Sequence, residues 1–144
     1  MKILPKKSLG QNFILDRNII NQIVELGNLN NESFVVEIGP GTGNLTNEIL
    51  KKNPKKIYLV EKDNELSNTL KEKFGKKVTI FNKDILKLNE KSLSKEKLIV
   101  FGNLPYNIST EILCNWILKL NSDHFWFNEL ILMFQKEVAD RIVS

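Results

Sequence analysis

Residues 101–107, F-G-N-L-P-Y-N, carry side chains that could hold a flat amine. Asn103 offers an amide oxygen, and Tyr106 offers an aromatic ring. Leu104 precedes Pro105 and is therefore held extended, while Pro105 has no N–H and should end a regular strand, which leaves backbone carbonyls free to accept. An amide and a carbonyl can both accept from an exocyclic amino group while the ring stacks on the base. This pattern predicts a pocket for adenine, and the alternative is a tight turn with a buried tyrosine.

Three further groups that could do chemistry precede this loop in the chain. Residues 39–43, G-P-G-T-G, have G-x-G-x-G spacing rather than the G-x-G-x-x-G of the dinucleotide fingerprint, and glycines let a ligand approach the backbone closely. Glu61 follows Gly39 by about 22 residues, where an acidic residue is expected to hold ribose hydroxyls. Asp84 could accept from the amino group of adenine. The simpler interpretations are that residues 39–43 form only a tight turn, that Glu61 is one of several charges in E-K-D, and that Asp84 caps a helix.

The elements between these motifs should bring them together. Apolar runs predict five strands, at residues 34–38, 57–60, 78–81, 98–101 and 130–134. Helical spacing predicts helices around them, one capped by Asp16 and another by Ser109 or Thr110. Alternating strands and helices are typical of an α/β fold, with a parallel sheet and helices on both faces. Because parallel strands end at one edge of a sheet, we expect the four groups to meet in one crevice.

Length and composition set limits on the kind of protein. The 144 residues are enough for one domain, and 42% hydrophobic with 26% charged residues is an ordinary globular balance. The net charge of +4 is compatible with a nucleic-acid partner but is explained as well by surface lysines. The single cysteine, Cys114, excludes an internal disulfide and a cysteine metal cage, and its apolar helical pattern predicts a core position. We expect a cytoplasmic protein with no metal site and no membrane partner.

Two cofactors fit the predicted crevice, a nicotinamide dinucleotide and S-adenosylmethionine. The glycine spacing and the amine pocket favour S-adenosylmethionine. A hydride-transfer enzyme would also need a proton donor, and the only histidine, His124, is far in sequence from every predicted strand end.

Several motifs make the sequence resemble the ribosomal RNA adenine dimethyltransferases. The small-subunit type, which dimethylates two adjacent adenosines near the end of that RNA, is the most similar. The matching stretches are S-L-G-Q-N-F-I at 8–14, V-E-I-G-P-G-T-G-N-L-T at 36–46, V-E-K-D at 60–63, N-K-D-I-L at 82–86, F-G-N-L-P-Y-N-I-S-T at 101–110 and Q-K-E-V-A-D-R-I at 135–142.

The resemblance implies a Rossmann-like, class I S-adenosylmethionine-dependent methyltransferase fold. It also implies that residues 103–106 are catalytic and act on adenine. Cofactor-binding positions matching the family pattern, with the neighbouring Gln11 and Gly41 added, are Gln11, Asn12, Ile14, Gly39, Gly41, Glu61, Asp84 and Asn103. Ile14 stands where leucine is commoner. The implied partner is small-subunit ribosomal RNA in an immature 30S-type subunit, bound by a monomer during ribosome biogenesis.

The family also has a C-terminal part that completes the sheet and adds a small helical domain that contacts RNA. We therefore expect residues 1–144 to be an incomplete methyltransferase domain, truncated after the fifth strand and its following helix. One alternative is the large-subunit, antibiotic-resistance type, against which N-L-P-Y and Q-K-E-V-A argue. A non-catalytic ribosome-assembly factor is a second alternative. A methyltransferase acting on a protein glutamine or on DNA adenine is a third, although those more often carry Pro-Pro than Leu-Pro in this loop.

Overall fold

A computed structural model describes residue 4 and residues 16–104, 106–121 and 125–144. The strands in these ranges are β1 (Phe34–Ile38), β2 (Lys56–Val60), β3 (Thr79–Phe81), β4 (Leu98–Asn103) and β5 (Phe127–Met133). The α-helices are α1 (Arg17–Leu26), α2 (Asn44–Lys51), α3 (Asn64–Phe74), α4 (Ser109–Leu118) and α5 (Lys136–Val143). No helix in the described part of the chain has both the length and the apolar character needed to cross a membrane.

All five strands are parallel and form one sheet in the order β3-β2-β1-β4-β5. The first strand in the chain is therefore central, and the order reverses between β1 and β4. Such a switch point is where open α/β sheets bind ligands, outside the carboxyl ends of the strands. The predicted parallel sheet is confirmed.

Both faces of the sheet are covered by apolar side chains, as a buried parallel sheet requires. Along β1, Val35 packs with α1, α2 and α3 on one face, whereas Val36 packs with α4 on the other. The largest fully buried side chains include Trp116 of α4 and Phe101 of β4. This two-sided core fixes the strand register, because a shift by one residue would exchange the two faces.

Four predictions about the elements need correction. β4 continues through Gly102 to Asn103, because these residues still pair with Leu132 and Met133 of β5. β5 begins at Phe127, three residues earlier than the apolar run indicated. The residue before α4 is Ile108, and no side chain caps this helix. Cys114 is exposed rather than in the core.

Candidate active site

The strand register places the ends of four strands at one level. Residues paired at this level, taken across the sheet, are Phe81, Val60, Ile38 and Gly102. The residues that directly follow them in the chain are Asn82, Glu61, Gly39 and Asn103. Three of the groups predicted from sequence therefore lie side by side at the carboxyl edge of the sheet, and Asp84 follows two residues after Asn82.

The glycine loop, residues 39–43, joins β1 to α2 in a conformation that glycine adopts readily. Gly39, Gly41 and Gly43 all have positive φ angles, of 68°, 59° and 87°. A Cβ on Gly39 would lie 2.9 Å from the backbone oxygen of Asn103, and one on Gly43 would lie 2.6 Å from the Phe74 ring. The loop is thus pressed against β4 on one side and α3 on the other.

Glu61 places a buried carboxylate beside this loop. Its Oε2 accepts from the backbone N–H of Gly41 at 3.3 Å, and its Oε1 accepts from that of Asp63 at 3.0 Å. Only 6% of the residue is exposed, and burial raises the pKa of the carboxyl above its ordinary value, while backbone hydrogen bonds from Asp63, Gly41 and Lys62 act in the opposite direction. A carboxylate has about four lone-pair sites in all, which is more than these backbone donors use, so the group can still accept from a hydroxyl.

Asp84 lies after the next strand, as predicted, and has two partners. Its Oδ1 accepts from the backbone N–H of Leu86 at 3.0 Å. Its Oδ2 lies 3.4 Å from Nζ of Lys62, a side chain that is 58% exposed. Because an exposed lysine holds such a pair weakly, Oδ2 can exchange this partner for another donor.

The loop after β4 has one buried side chain, Leu104, and one half-exposed aromatic ring, Tyr106. Asn103 is the last residue of the strand, and Leu104 after it is buried against the core on the α4 face. Tyr106 is 49% exposed, which rules out the buried tyrosine of the simple-turn alternative. The backbone oxygen of Tyr106 accepts from Oγ of Ser109 at 3.4 Å, so the start of α4 holds this loop. Four predicted site residues, Gln11, Asn12, Ile14 and Pro105, lie outside the described residues.

A buried pair that the sequence prediction missed underlies the glycine loop. Glu37 of β1 is 1% exposed, and Oγ1 of Thr46 in α2 donates to its Oε2 at 2.6 Å. Burial raises the pKa of Glu37 to about 7, the Thr46 hydrogen bond lowers it, and the charge of Glu61 raises it further. Glu37 also lines a cavity of about 20 Å³, which adjoins residues 39–42 and Asn103. An acidic residue inside the apolar run V-V-E-I was the available signal for this pair.

Metal chemistry has no candidate site in the described ranges. No group of three or more histidine, cysteine, aspartate or glutamate side chains is arranged there to hold an ion. The groups at these strand ends can form hydrogen bonds to a ligand's hydroxyl and amino groups, and the ring of Tyr106 is available for stacking.

Two curated proteins with similar sequences have the same name. A "Ribosomal RNA small subunit methyltransferase A" from Pelagibacter ubique is 60% identical over 144 residues, which are 100% of this chain and 54% of that protein. The protein of the same name from a Sulfurihydrogenibium species is 40% identical, over 99% of this chain and 55% of its own length. The chain thus spans about half the length of the curated relatives it matches.

Solved structures give the same fold. A dimethyladenosine transferase from Plasmodium falciparum has a TM-score of 0.77 at 26% identity, covering 92% of this chain and 46% of that one. The 23S rRNA methyltransferase ErmE has a TM-score of 0.72 at 28% identity, covering 89% and 50%. These likenesses, with the observed sheet, confirm the predicted class I methyltransferase fold. The family described as "Ribosomal RNA adenine dimethylase" matches residues 4–144, nearly all of the sequence. The strand ends, the relatives and this match agree, and the chain belongs to the ribosomal RNA adenine dimethylase family.

Proposed function

We propose that residues 1–144 are the methyltransferase domain of an enzyme that dimethylates N6 of two adjacent adenosines in small-subunit ribosomal RNA, with S-adenosylmethionine as methyl donor. The observation that carries the proposal is that Gly39, Glu61 and Asn103 lie at one level, at the carboxyl edge of the sheet. The names of the curated relatives support the choice of RNA substrate.

The residues on the cofactor side suit an adenosine-containing molecule. The close approach of Gly39 to Asn103 leaves no room for a side chain between the glycine loop and β4. The carboxylate of Glu61 accepts the ribose hydroxyls at lone pairs that its backbone partners do not use. Oδ2 of Asp84 accepts from the adenine amino group, and Gln11, Asn12, Ile14 and Gly41 complete the set. When bound, S-adenosylmethionine supplies a methyl group activated by its sulfonium.

The residues on the substrate side hold the target base and its reacting nitrogen. The lone pair of this nitrogen is delocalised into the ring, which makes it a poor nucleophile. The amide oxygen of Asn103 and the carbonyl of Leu104 or Pro105 accept its two N–H groups and favour a pyramidal nitrogen. The half-exposed ring of Tyr106 stacks on the base, a contact worth about 1–3 kcal/mol. The base must be unstacked from the RNA to enter, and the proton leaving the nitrogen passes to water.

Alignment is the main contribution of these residues to the rate, because none of them is placed as a dedicated general base in this proposal. Holding two reactants in a productive geometry can lower a barrier by about 7–11 kcal/mol. The enzyme acts as a monomer in the cytoplasm, on an immature 30S-type subunit, and its net charge of +4 suits a phosphate backbone.

A methyl-transfer assay with four acceptors tests the proposal. The protein is incubated with S-adenosylmethionine labelled with tritium in the methyl group and, separately, with immature small subunits, large-subunit RNA, DNA and a protein mixture. We expect labelled dimethyladenosine from the small subunits, and a loss of that label in Asn103→Ala. Label in large-subunit RNA alone would assign the chain to the other branch of the family. Label in no acceptor, with cofactor binding intact, would favour a non-catalytic RNA-binding role.

A further inference from the structure

Asn82 joins the ends of β2 and β3 through its side chain. The backbone pairing of these strands reaches the N–H of Glu61, which donates to the oxygen of Phe81 at 3.0 Å. β3 ends at Phe81, and the amide nitrogen of Asn82, the next residue, donates to the backbone oxygens of Glu61, at 2.9 Å, and Lys62, at 3.2 Å. A side-chain amide nitrogen has two hydrogens, enough to serve both acceptors.

These two bonds hold the segment that also orients the Glu61 carboxylate. The backbone N–H of Asp63 donates to Oε1 of Glu61, so the direction of the carboxylate depends on the path of residues 61–63. The far end of this segment is held by the cap of α3, where Oδ1 of Asp63 accepts from the N–H of Leu66 at 3.0 Å. Asn82 is the side chain that fixes the near end, at Glu61 itself.

We propose that Asn82 is a positioning residue for cofactor binding, acting by fixing residues 61–63 so that the Glu61 carboxylate faces the ribose hydroxyls. This inference rests on the proposed function, because it assigns Asn82 a role in the site where the cofactor binds. It adds to that site a residue that does not itself touch the ligand.

A double-mutant cycle tests the inference, with S-adenosylhomocysteine as the probe and calorimetry as the measurement. Losing two hydrogen bonds to backbone carbonyls should weaken binding by about threefold to tenfold in Asn82→Ala. If Asn82 acts through Glu61, the same change should cost almost nothing further in Glu61→Ala, because no carboxylate remains to be positioned. Asn82→Ser, which keeps one donor, should fall between wild type and Asn82→Ala.

Two further variants separate positioning from general effects. Asn82→Asp keeps the shape but turns an acceptor toward two carbonyl oxygens, so it should bind at least as weakly as Asn82→Ala. Asn89→Ala is the matched control, because Asn89 is also exposed and bonds to a backbone N–H, that of Lys91, but lies elsewhere on the molecule. It should bind the probe as wild type does.

The outcomes distinguish failure of this inference from failure of the proposed function. An equal loss from Asn82→Ala in both backgrounds, or wild-type binding by Asn82→Ala alone, would overturn the positioning role while leaving the site intact. Wild-type binding by Glu61→Ala, or no binding by the wild type, would overturn the proposed cofactor site and the inference with it. Melting temperatures of all variants identify any that lose affinity by unfolding.

Discussion

Replacing Glu37 by glutamine should remove a pH dependence from the stability of the protein. The carboxyl is 1% exposed, and burial raises its pKa from 4.5 to about 7 in the folded chain. In the unfolded chain the group ionises near its ordinary value, so between these two pH values the folded state holds a proton that the unfolded state has lost. The raised pKa therefore costs no unfolding free energy below pH 4.5. The loss of unfolding free energy grows as the pH rises and reaches its full size above about pH 7.

The size of this effect follows from the two pKa values. One pH unit of difference corresponds to 1.36 kcal/mol, so the wild type should lose about 3 kcal/mol of unfolding free energy from this group across the range. Burial also raises the pKa of Glu61, which adds a loss in the same direction. Comparison of Glu37→Gln with wild type isolates the part due to Glu37. The variant should gain about 3 kcal/mol relative to wild type between pH 4.5 and pH 7.5.

Urea unfolding followed by tryptophan fluorescence measures this difference, because Trp116 and Trp126 are both buried in the core. Glu32→Gln, the same substitution at an exposed site, serves as the control for the loss of one carboxyl. Parallel curves of stability against pH for wild type and Glu37→Gln would refute the reasoning. They would mean that the buried carboxyl ionises as readily in the folded chain as in the unfolded one.

Three further predictions concern the loops. Gly39→Ala should destabilise the protein by more than Gly75→Ala in thermal unfolding, because both have positive φ but only a Cβ at position 39 would meet a backbone atom, the oxygen of Asn103 at 2.9 Å. Tyr106→Phe should keep most methyl-transfer activity in single-turnover assays, whereas Tyr106→Ala should lose most of it, because no ring remains to stack on the target base. Equal activity of these two variants would exclude stacking. Asn103→Ala should lower the single-turnover rate more than RNA affinity, since phosphate contacts supply most of that affinity, and a wild-type rate would exclude the amine pocket.

The sequence predicted the fold well because both faces of this sheet are buried. Strands such as residues 34–38 then appear as short apolar runs, and the polar or glycine residues that follow mark their ends. The predicted end of β4 and the predicted start of β5 were wrong, because polar and glycine residues also occur within these strands. Gly102 and Asn103 look like the start of a loop, yet pairing with β5 keeps them in the sheet. Asn128 and Glu129 interrupt the apolar pattern of β5, although pairing with β4 begins before them.

The candidate site residues predicted from the strand pattern each follow a predicted strand, whereas the contacts that were missed join side chains to partners distant in the chain. Glu61 and Asp84 could be identified because each follows a strand at a position where a ligand is expected. Glu37 needs Thr46, nine residues later, to explain its burial. The contact of Asn82 depends on the register of β2 against β3, which decides whether its amide reaches the backbone of Glu61. Neither contact follows from spacing alone.

Titration of the protein with S-adenosylmethionine by calorimetry, for wild type and Glu61→Ala at one pH, tests the central claim that these strand ends form a cofactor site. The account predicts one molecule bound per wild-type chain and an affinity at least about tenfold lower in the variant, because charge-assisted hydrogen bonds to the ribose are lost. Equal affinity in the two proteins, or no binding by a folded wild type, would contradict it.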